Sequence, residues 1–176
     1  SITQLDGKKI EKFSFKNKVE IDVAIKNIKD KEFIISDISS KIINRNPSGP
    51  FTTSTLQQVA SSRLGFGASR TMQIAQRLYQ GIEIDGETIG LITYMRTDGT
   101  NLSADAISDF RKYIKNEYGK EYLPENPLNY SGKKAKNAQE AHEAIRPTDV
   151  ERSPESVKKY LSPDQQKLYN LIWGRA

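Results

Sequence analysis

The chain has 176 residues, no cysteine, a hydrophobic content of 36% and a net charge of +5. This length suffices for one sizeable core, and the lack of cysteine excludes disulfides and thiolate zinc sites while suiting a reducing cytoplasm. No apolar stretch is long enough to span a membrane, and the polar start from Ser1 to Lys9 lacks the apolar run of a secretory signal. The basic charge permits contact with nucleic-acid phosphates but does not by itself assign that role.

The first 49 residues predict an incomplete strand–helix–strand unit. Lys8–Phe15 has the composition of a short strand, and Asn17 with Glu20 predicts a reciprocal cap at the start of a helix. The isoleucine-rich stretch Phe33–Ile43 predicts one or two further strands. We interpret residues 1–49 as part of a larger domain, because so small a unit is not expected to be stable alone.

Two helices joined by a short glycine-containing turn are predicted next. Ser54 and Gln57 have the spacing of a capping box for the first helix, which is expected to end at Gly65. Ser69 is the predicted cap of the second helix, and Gly81 its end. A helix pair of this kind resembles a helix-turn-helix.

A tight hairpin is predicted directly after the helix pair. Apolar and polar residues alternate on both sides of Asp85–Gly86, a dipeptide that favours a two-residue turn. The sequence therefore predicts an α+β, mainly helical fold in which residues 50–176 form a winged-helix-like domain. Such domains bind DNA or protein, so the fold alone does not assign the role.

Further helices are predicted towards the end of the chain. Ser103 is expected to cap one that closes at Gly119, and a short helix from Asn137 must end before Pro147. Two Ser-Pro pairs, Ser153–Pro154 and Ser162–Pro163, predict the starts of the last two helices.

The segment 92–98 joins these predicted elements and carries a candidate site. If it is extended, Tyr94, Arg96 and Asp98 project from one face. One interpretation is a packed tyrosine beside a surface ion pair. The other is a phenol that attacks a phosphodiester, a guanidinium that holds the phosphate, and a carboxylate that orients the guanidinium.

His142 is the sole histidine, and the sequence places it on the predicted short helix that precedes Arg146. When protonated, its imidazole can donate a hydrogen bond to a phosphate. A single histidine is otherwise most often structural, and its spacing does not decide between these interpretations.

Four motifs occur in collinear order: Thr52–Gln58, Ala75–Tyr79, Thr93–Asp98 and Ala141–Thr148. They resemble signatures of the type IA DNA topoisomerases, the bacterial members in particular. The resemblance is strong from about Pro50 to the end of the chain and weak before it.

This resemblance implies an isomerase in which Tyr94 cleaves one DNA strand, preferentially in single-stranded DNA, and stays joined to the 5′ phosphate. The other strand then passes through the gap and the break is resealed. Arg96 would position the scissile phosphate and His142 would assist it. Residues expected to bind DNA or support the site are Gln76, Thr93, Thr97, Asp98 and Arg146. The family also implies a cytoplasmic, nucleoid-associated location.

The chain departs from the family pattern at three places. Gln80 stands where the family often has glutamate, and Glu83–Glu87 looks like an insertion. The acidic Asp-x-Asp cluster that holds Mg²⁺ in the family has no counterpart here, so no metal ligand is expected in this chain. Together with the chain ends Ser1 and Ala176, this predicts a fragment that is inactive without the missing domains of the same polypeptide.

Two alternatives remain open from the sequence. The first is a winged-helix module that binds DNA without cleaving it, and the second is a domain that only binds another protein. Covalent capture of DNA separates the enzyme from the first, and binding of single-stranded DNA separates it from the second.

Overall fold

A computed structural model describes residues 3–5, 7–29, 31–32, 34–35, 37–43, 46–128, 130 and 142–176. The chain divides into two units, Ser1–Arg45 and Asn46–Ala176. Within the described residues the fold is α+β and mainly helical, with six α-helices, two short 3-10 helices and two small antiparallel sheets. None of the helices in this part of the chain is both long enough and apolar enough to cross a membrane.

The first unit contains one hairpin and one helix. Strand β1 (Gln4–Leu5) pairs with β2 (Lys8–Lys9), so the strand predicted over residues 8–15 is right only at its first two residues. Helix α1 spans Lys18–Lys29 and begins at the predicted cap. The Asn17 side chain accepts from the Glu20 backbone amide at 3.0 Å and donates to the Glu20 carboxylate, also at 3.0 Å.

The isoleucine-rich stretch that follows α1 is not a strand in any of its described residues. Residues 33 and 36 lie outside the description, and the others between 31 and 43 have no regular structure. Their isoleucines are exposed, from 72% at Ile43 to 92% at Ile42. Strand propensity reflects packing on a half-buried pleated surface, and these residues have no partner strand. The predicted second strand is therefore wrong for the described residues, whereas the helix is found and the first strand is found only in part.

Helix α2 spans Thr53–Leu64 and begins two residues earlier than predicted. Thr52 is the capping residue, and its hydroxyl accepts from the Thr55 amide while the Thr55 hydroxyl accepts from the Thr52 amide. The run of hydroxyl residues offers several possible capping pairs, and the sequence pattern selected the wrong one. Gly65 ends the helix as predicted, in the left-handed conformation at φ 69°.

Helix α3 spans Ala68–Gln80, ends at Gly81 as predicted and packs against α2. Its capping residue is Gly67, which has no side chain to make a cap, so the prediction of Ser69 as the cap is wrong. The next hairpin matches the prediction: β3 (Ile82–Ile84) pairs with β4 (Glu87–Ile89). Asp85 and Gly86, at φ 51° and 90°, supply the two positive φ angles of a type I′ turn.

The remaining helices agree with the predicted starts. Helix α4 (Ala104–Glu117) is capped by Ser103, and α5 (Pro154–Val157) and α6 (Pro163–Trp173) begin at the Ser-Pro pairs. Residues Lys120–Tyr122 and Lys158–Tyr160 form 3-10 turns.

The helix predicted from Asn137 is wrong for residues 142–146, and residues 137–141 lie outside the description. Residues 142–146 are irregular, and Ile145 forms an antiparallel bridge with Phe51. Pro147 bridges Ile92 in the same way. Pairing with distant backbone has overridden the helix propensity of the alanines and glutamates.

The core of the second unit forms where α2, α3 and α6 pack on one another. Fully buried side chains come from these helices and from the irregular segments between them: Phe51, Leu56, Leu78, Leu91, Ile92, Ile145, Leu168, Tyr169 and Ile172. The segments on either side of Tyr94 and His142 are thus anchored in the core.

Candidate active site

The segment 91–99 carries Tyr94 and is held without a regular strand. On one side it meets the segment 142–148: the Thr93 amide donates to the Arg146 carbonyl at 2.9 Å, and the Arg146 amide donates to the Thr93 hydroxyl at 3.0 Å. The Thr93 hydroxyl in turn donates to the Ala144 carbonyl at 2.7 Å. Thr93, predicted to support the site, therefore joins two segments that lie some fifty positions apart.

On its other side the segment meets the start of α2. The Thr53 amide donates to the Thr97 carbonyl at 2.9 Å, and the Thr97 amide donates to the Thr53 hydroxyl at 2.8 Å. The Thr97 hydroxyl accepts from the Gly99 amide at 2.9 Å and donates to the His142 carbonyl at 3.4 Å. Thr97, predicted to support the site, therefore links the Tyr94 segment to α2 and to the His142 segment. Thr53 lies in one of the four motifs, but no role was predicted for it.

Burial alternates along the segment. Met95 and Thr97 are only 4% and 8% exposed, while Arg96 and Asp98 are exposed and Tyr94 is half-buried. Tyr94, Arg96 and Asp98 thus have the greater solvent exposure, as the extended pattern predicted, although the backbone bends at residues 93, 95 and 96.

Two aromatic rings contact the phenol of Tyr94. The His142 ring centroid lies 4.8 Å from that of Tyr94, and the Tyr79 centroid lies 5.4 Å away in an edge-on arrangement. The structure therefore brings together Tyr94 and His142, which lie in separate motifs and which only the family resemblance had placed at one site. The Tyr79 contact was missed, although Tyr79 closes one of the four family-like motifs.

The remaining predicted site residues lie on the surface around this cluster. Gln76 is exposed on α3, one turn before Tyr79. Arg96 has no hydrogen bond or ion pair with any residue in the described ranges. Asp98 likewise has no bond to Arg96, so the orienting role suggested for it is not seen.

Arg146, by contrast, has several partners. Its guanidinium donates to the Glu143 carboxylate at 2.7 Å, to the Pro147 carbonyl at 2.9 Å and to the Ser103 hydroxyl at 3.5 Å, and its side chain is 13% exposed. These contacts favour a supporting role for Arg146 over direct contact with a ligand.

The ion pair of Glu143 and Arg146 changes the acidity of the carboxylate. Partial burial opposes ionisation of Glu143, but the hydrogen bond and charge of Arg146, with hydrogen bonds from Ser103, outweigh it and lower the pKa. Glu143 directly follows His142, so this pair fixes the backbone beside the imidazole.

Gly99 packs closely against the backbone of His142. A Cβ atom at this position would overlap the carbonyl oxygen of His142 and lie 3.1 Å from the Thr97 hydroxyl oxygen. The absence of a side chain at Gly99 therefore lets residues 97–99 approach the His142 segment.

The described residues do not form a metal site. They contain no group of three or more histidine, cysteine, aspartate or glutamate side chains able to hold an ion. The candidate site therefore consists of the half-buried Tyr94 phenol, the exposed His142 imidazole and the exposed Arg96 guanidinium, which has no partner in the described ranges.

Comparison with known proteins defines the class. A family model described as DNA topoisomerase matches residues 2–176, and the chain belongs to this family. The relatives are named DNA topoisomerase 1: that of Rickettsia felis is 52% identical over 174 residues, and that of Campylobacter jejuni is 47% identical. Both alignments cover 99% of this chain but only 22% and 25% of the relatives, so the chain spans about a quarter of their length or less.

A solved structure of a topoisomerase I is also similar to this chain. Full-length topoisomerase I from Thermotoga maritima superimposes with a TM-score of 0.61 and 50% sequence identity, over 73% of this chain and 19% of that one. At this identity the likeness extends beyond the fold to the family.

Replacing Gly99 with alanine should destabilise the site. We expect Gly99→Ala to lower the free energy of unfolding by about 1–3 kcal/mol, because the new methyl group must displace the His142 carbonyl. Gly67→Ala is the control for steric overlap, since a Cβ at Gly67 meets nothing within 4 Å. Because Gly67 caps α3 and alanine is a poorer capping residue, its cost should be about 0.5–1 kcal/mol and smaller than that of Gly99→Ala. Urea unfolding measures both, and equal effects would contradict the close approach.

The Glu143–Arg146 pair should contribute stability that depends on pH. Because folding lowers the Glu143 pKa below its usual 4.5, the contribution is present above that value and is lost as pH falls through the lowered pKa. Glu143→Gln should therefore be less stable than the parent chain at neutral pH, with a difference that shrinks in acid. Glu155→Gln is the control, because the Glu155 side chain is 80% exposed and its carboxylate lies as far as 3.7 Å from the Lys158 amine. Its loss should change stability little at any pH. If Glu143→Gln loses the same free energy of unfolding at every pH, the lowered pKa of Glu143 is not the source of the stability.

Proposed function

We propose that this chain is the tyrosine-bearing part of a type IA DNA topoisomerase and that Tyr94 is its nucleophile. The observation that carries the proposal is the packing of the Tyr94 phenol against His142. Arg96, two positions after Tyr94, has no partner among the residues that the structure describes. The family membership supplies DNA as the substrate class.

The proposed reaction is a transesterification, in which the Tyr94 oxygen replaces the 3′ oxygen of DNA at phosphorus. The Tyr94 phenolic oxygen forms a bond to phosphorus as the bond between phosphorus and the neighbouring 3′ oxygen breaks. The phenol loses its proton and the departing 3′ oxygen gains one, so the products are a 5′-phosphotyrosine link and a 3′ hydroxyl. Attack by that hydroxyl reverses the step and reseals the strand. The bond energy is conserved, and no nucleotide cofactor is required.

Arg96 and His142 have separate tasks in this reaction. The guanidinium of Arg96 presents paired donors to the phosphate oxygens and can do so without first breaking an ion pair. The ring of His142 packs on the phenol and can donate to the phosphate or to the departing oxygen when protonated. Proton transfer by such a group typically contributes about 10²–10⁴-fold.

The surrounding surface supports binding of single-stranded DNA. The exposed ring of Tyr79 lies beside Tyr94, and an unpaired base can stack on such a ring. The helix pair α2–α3 followed by the β3–β4 hairpin has the element order of a winged helix. We assign this arrangement to DNA binding, at the nucleoid in the cytoplasm.

Strand passage and metal binding are assigned to other parts of a longer protein. Because the described residues offer no site for Mg²⁺, we propose that a separate domain of the same polypeptide binds it. When bound there, the ion would supply electrostatic stabilisation to the phosphate and its leaving group.

Loss of the Tyr94 hydroxyl should abolish covalent capture of DNA. In full-length protein carrying this sequence, Tyr94→Phe keeps the ring and its packing but removes the nucleophile, so capture of labelled single-stranded DNA should fall to background. Tyr122→Phe is the control, because Tyr122 is an exposed residue that is not part of the site. Undiminished covalent capture by Tyr94→Phe would reject Tyr94 as the nucleophile. If the parent protein binds DNA but never captures it covalently, the module that binds without cleaving is favoured instead.

The isolated chain should not relax DNA. With Mg²⁺ and supercoiled plasmid, we expect no change in linking number, because the metal-binding domain and the gate for strand passage lie outside this sequence. Full-length protein tested alongside should relax the plasmid. Relaxation by the isolated chain that disappears in Tyr94→Phe would show that these residues suffice and would overturn the division of tasks.

A further inference from the structure

Thr53 makes an unusual set of contacts for the first residue of a helix. Its hydroxyl donates to the Met95 carbonyl at 2.8 Å, lies 3.2 Å from the Thr97 carbonyl oxygen and accepts from the Thr97 amide at 2.8 Å. Its own amide also donates to the Thr97 carbonyl. A threonine hydroxyl has one proton and two lone pairs, so this one is used both as donor and as acceptor.

These contacts fix the backbone on both sides of Arg96. Met95 precedes Arg96 and Thr97 follows it, and both are buried. The Arg96 side chain has no partner among the described residues. Within the described part of the chain, no hydrogen bond or ion pair therefore orients its guanidinium, and the backbone that Thr53 holds sets the direction in which the side chain leaves the chain.

The bond from the Thr53 amide to the Thr97 carbonyl would remain without the hydroxyl, but the described residues offer the Thr97 amide no other acceptor. The Thr97 amide is buried and donates to that hydroxyl, so removal of the hydroxyl leaves the amide unsatisfied. An unsatisfied buried donor is costly, and the backbone relieves the cost by shifting. A shift at residues 95–97 moves Arg96 directly and reaches Tyr94 through one peptide unit.

We infer that Thr53 is a positioning residue, whose hydroxyl sets the placement of Arg96 relative to Tyr94 for cleavage. This inference rests on the proposed function. Reacting groups must be held to within about 0.5 Å, and a misplacement of about 1 Å can reduce the rate about 10²-fold. The expected result of losing the hydroxyl is therefore a slower chemical step with DNA binding retained.

The test compares three variants in full-length protein carrying this sequence. Thr53→Val removes the hydroxyl with little change in shape, Thr53→Ser retains it, and Thr53→Ala removes it with no added bulk. Single-turnover covalent capture is measured at saturating single-stranded DNA, and the Kd for the same DNA is measured separately. Thermal unfolding identifies a temperature at which every variant is folded.

Thr53→Val and Thr53→Ala should capture DNA about 10²-fold more slowly than the parent, with the Kd changed less than about threefold, and Thr53→Ser should recover most of the rate. Thr52→Val is the matched control: it removes the neighbouring hydroxyl, which caps α2 through the Thr55 amide and does not bond to the Tyr94 segment. Its capture rate should stay close to the parent rate.

Three outcomes would overturn the inference: parent-like capture by folded Thr53→Val or Thr53→Ala, failure of Thr53→Ser to recover the rate, or an equal loss in Thr52→Val. Each is distinct from failure of the proposed function. If Tyr94→Phe abolishes capture while Thr53→Val retains it, only the role of Thr53 is rejected.

Discussion

The arrangement of the site depends on one constraint: the buried backbone around Tyr94 must satisfy its hydrogen bonds without a sheet. Three segments distant in sequence do this for one another. The Ile145 amide donates to the Phe51 carbonyl at 2.8 Å, and the Thr148 amide donates to the Leu91 carbonyl at 3.0 Å. Between these points, threonine hydroxyls supply bonds that neighbouring strands would supply in a sheet. The segment carrying the phenol is therefore irregular in shape but well determined in position.

These hydrogen bonds hold the segment with one face towards the core and the other towards solvent. Leu91, Ile92 and Met95 extend inward to the core formed by α2, α3 and α6, and their burial anchors the backbone. The side chains proposed to act on DNA have the greater exposure, although Tyr94 also packs against the edge of the core. A change at Arg96 is thus expected to affect reactivity far more than stability, whereas a change at the buried Thr97 affects both.

Local features could be predicted from the sequence, and contacts between distant segments could not. The Asp85–Gly86 turn and the Ser103 cap depend on residues a few positions apart, and both are found where expected. The helix predicted up to Arg146 was wrong for the residues described, because Ile145 pairs with Phe51 and propensity does not reveal that partner. The cap of α2 was predicted at the wrong residue but close to the right one. Adjacent threonines and serines offer equivalent capping patterns, and only tertiary packing selects among them.

The same limit applies to the site. Alternation along residues 92–98 predicted which side chains face outward, since that depends on local geometry. The contact of Tyr94 with His142 could be anticipated only from the family resemblance, because nearly fifty residues separate them in sequence. Tyr79 was passed over because an exposed aromatic residue at the end of a helix gives no sign of a partner.

The two arginines near the tyrosine illustrate how burial divides tasks between identical side chains. Arg146 is enclosed by Glu143, Ser103 and the Pro147 carbonyl, so recruiting it to a phosphate would first require breaking bonds within a partly buried ion pair. Arg96 is exposed and has no partner to exchange among the described residues, so an arriving phosphate displaces only water. Charge alone would rank the two equally as ligands for DNA. Under the proposed function, their surroundings favour Arg96 as the cation that meets the phosphate, and Arg146 as part of the framework of the His142 segment.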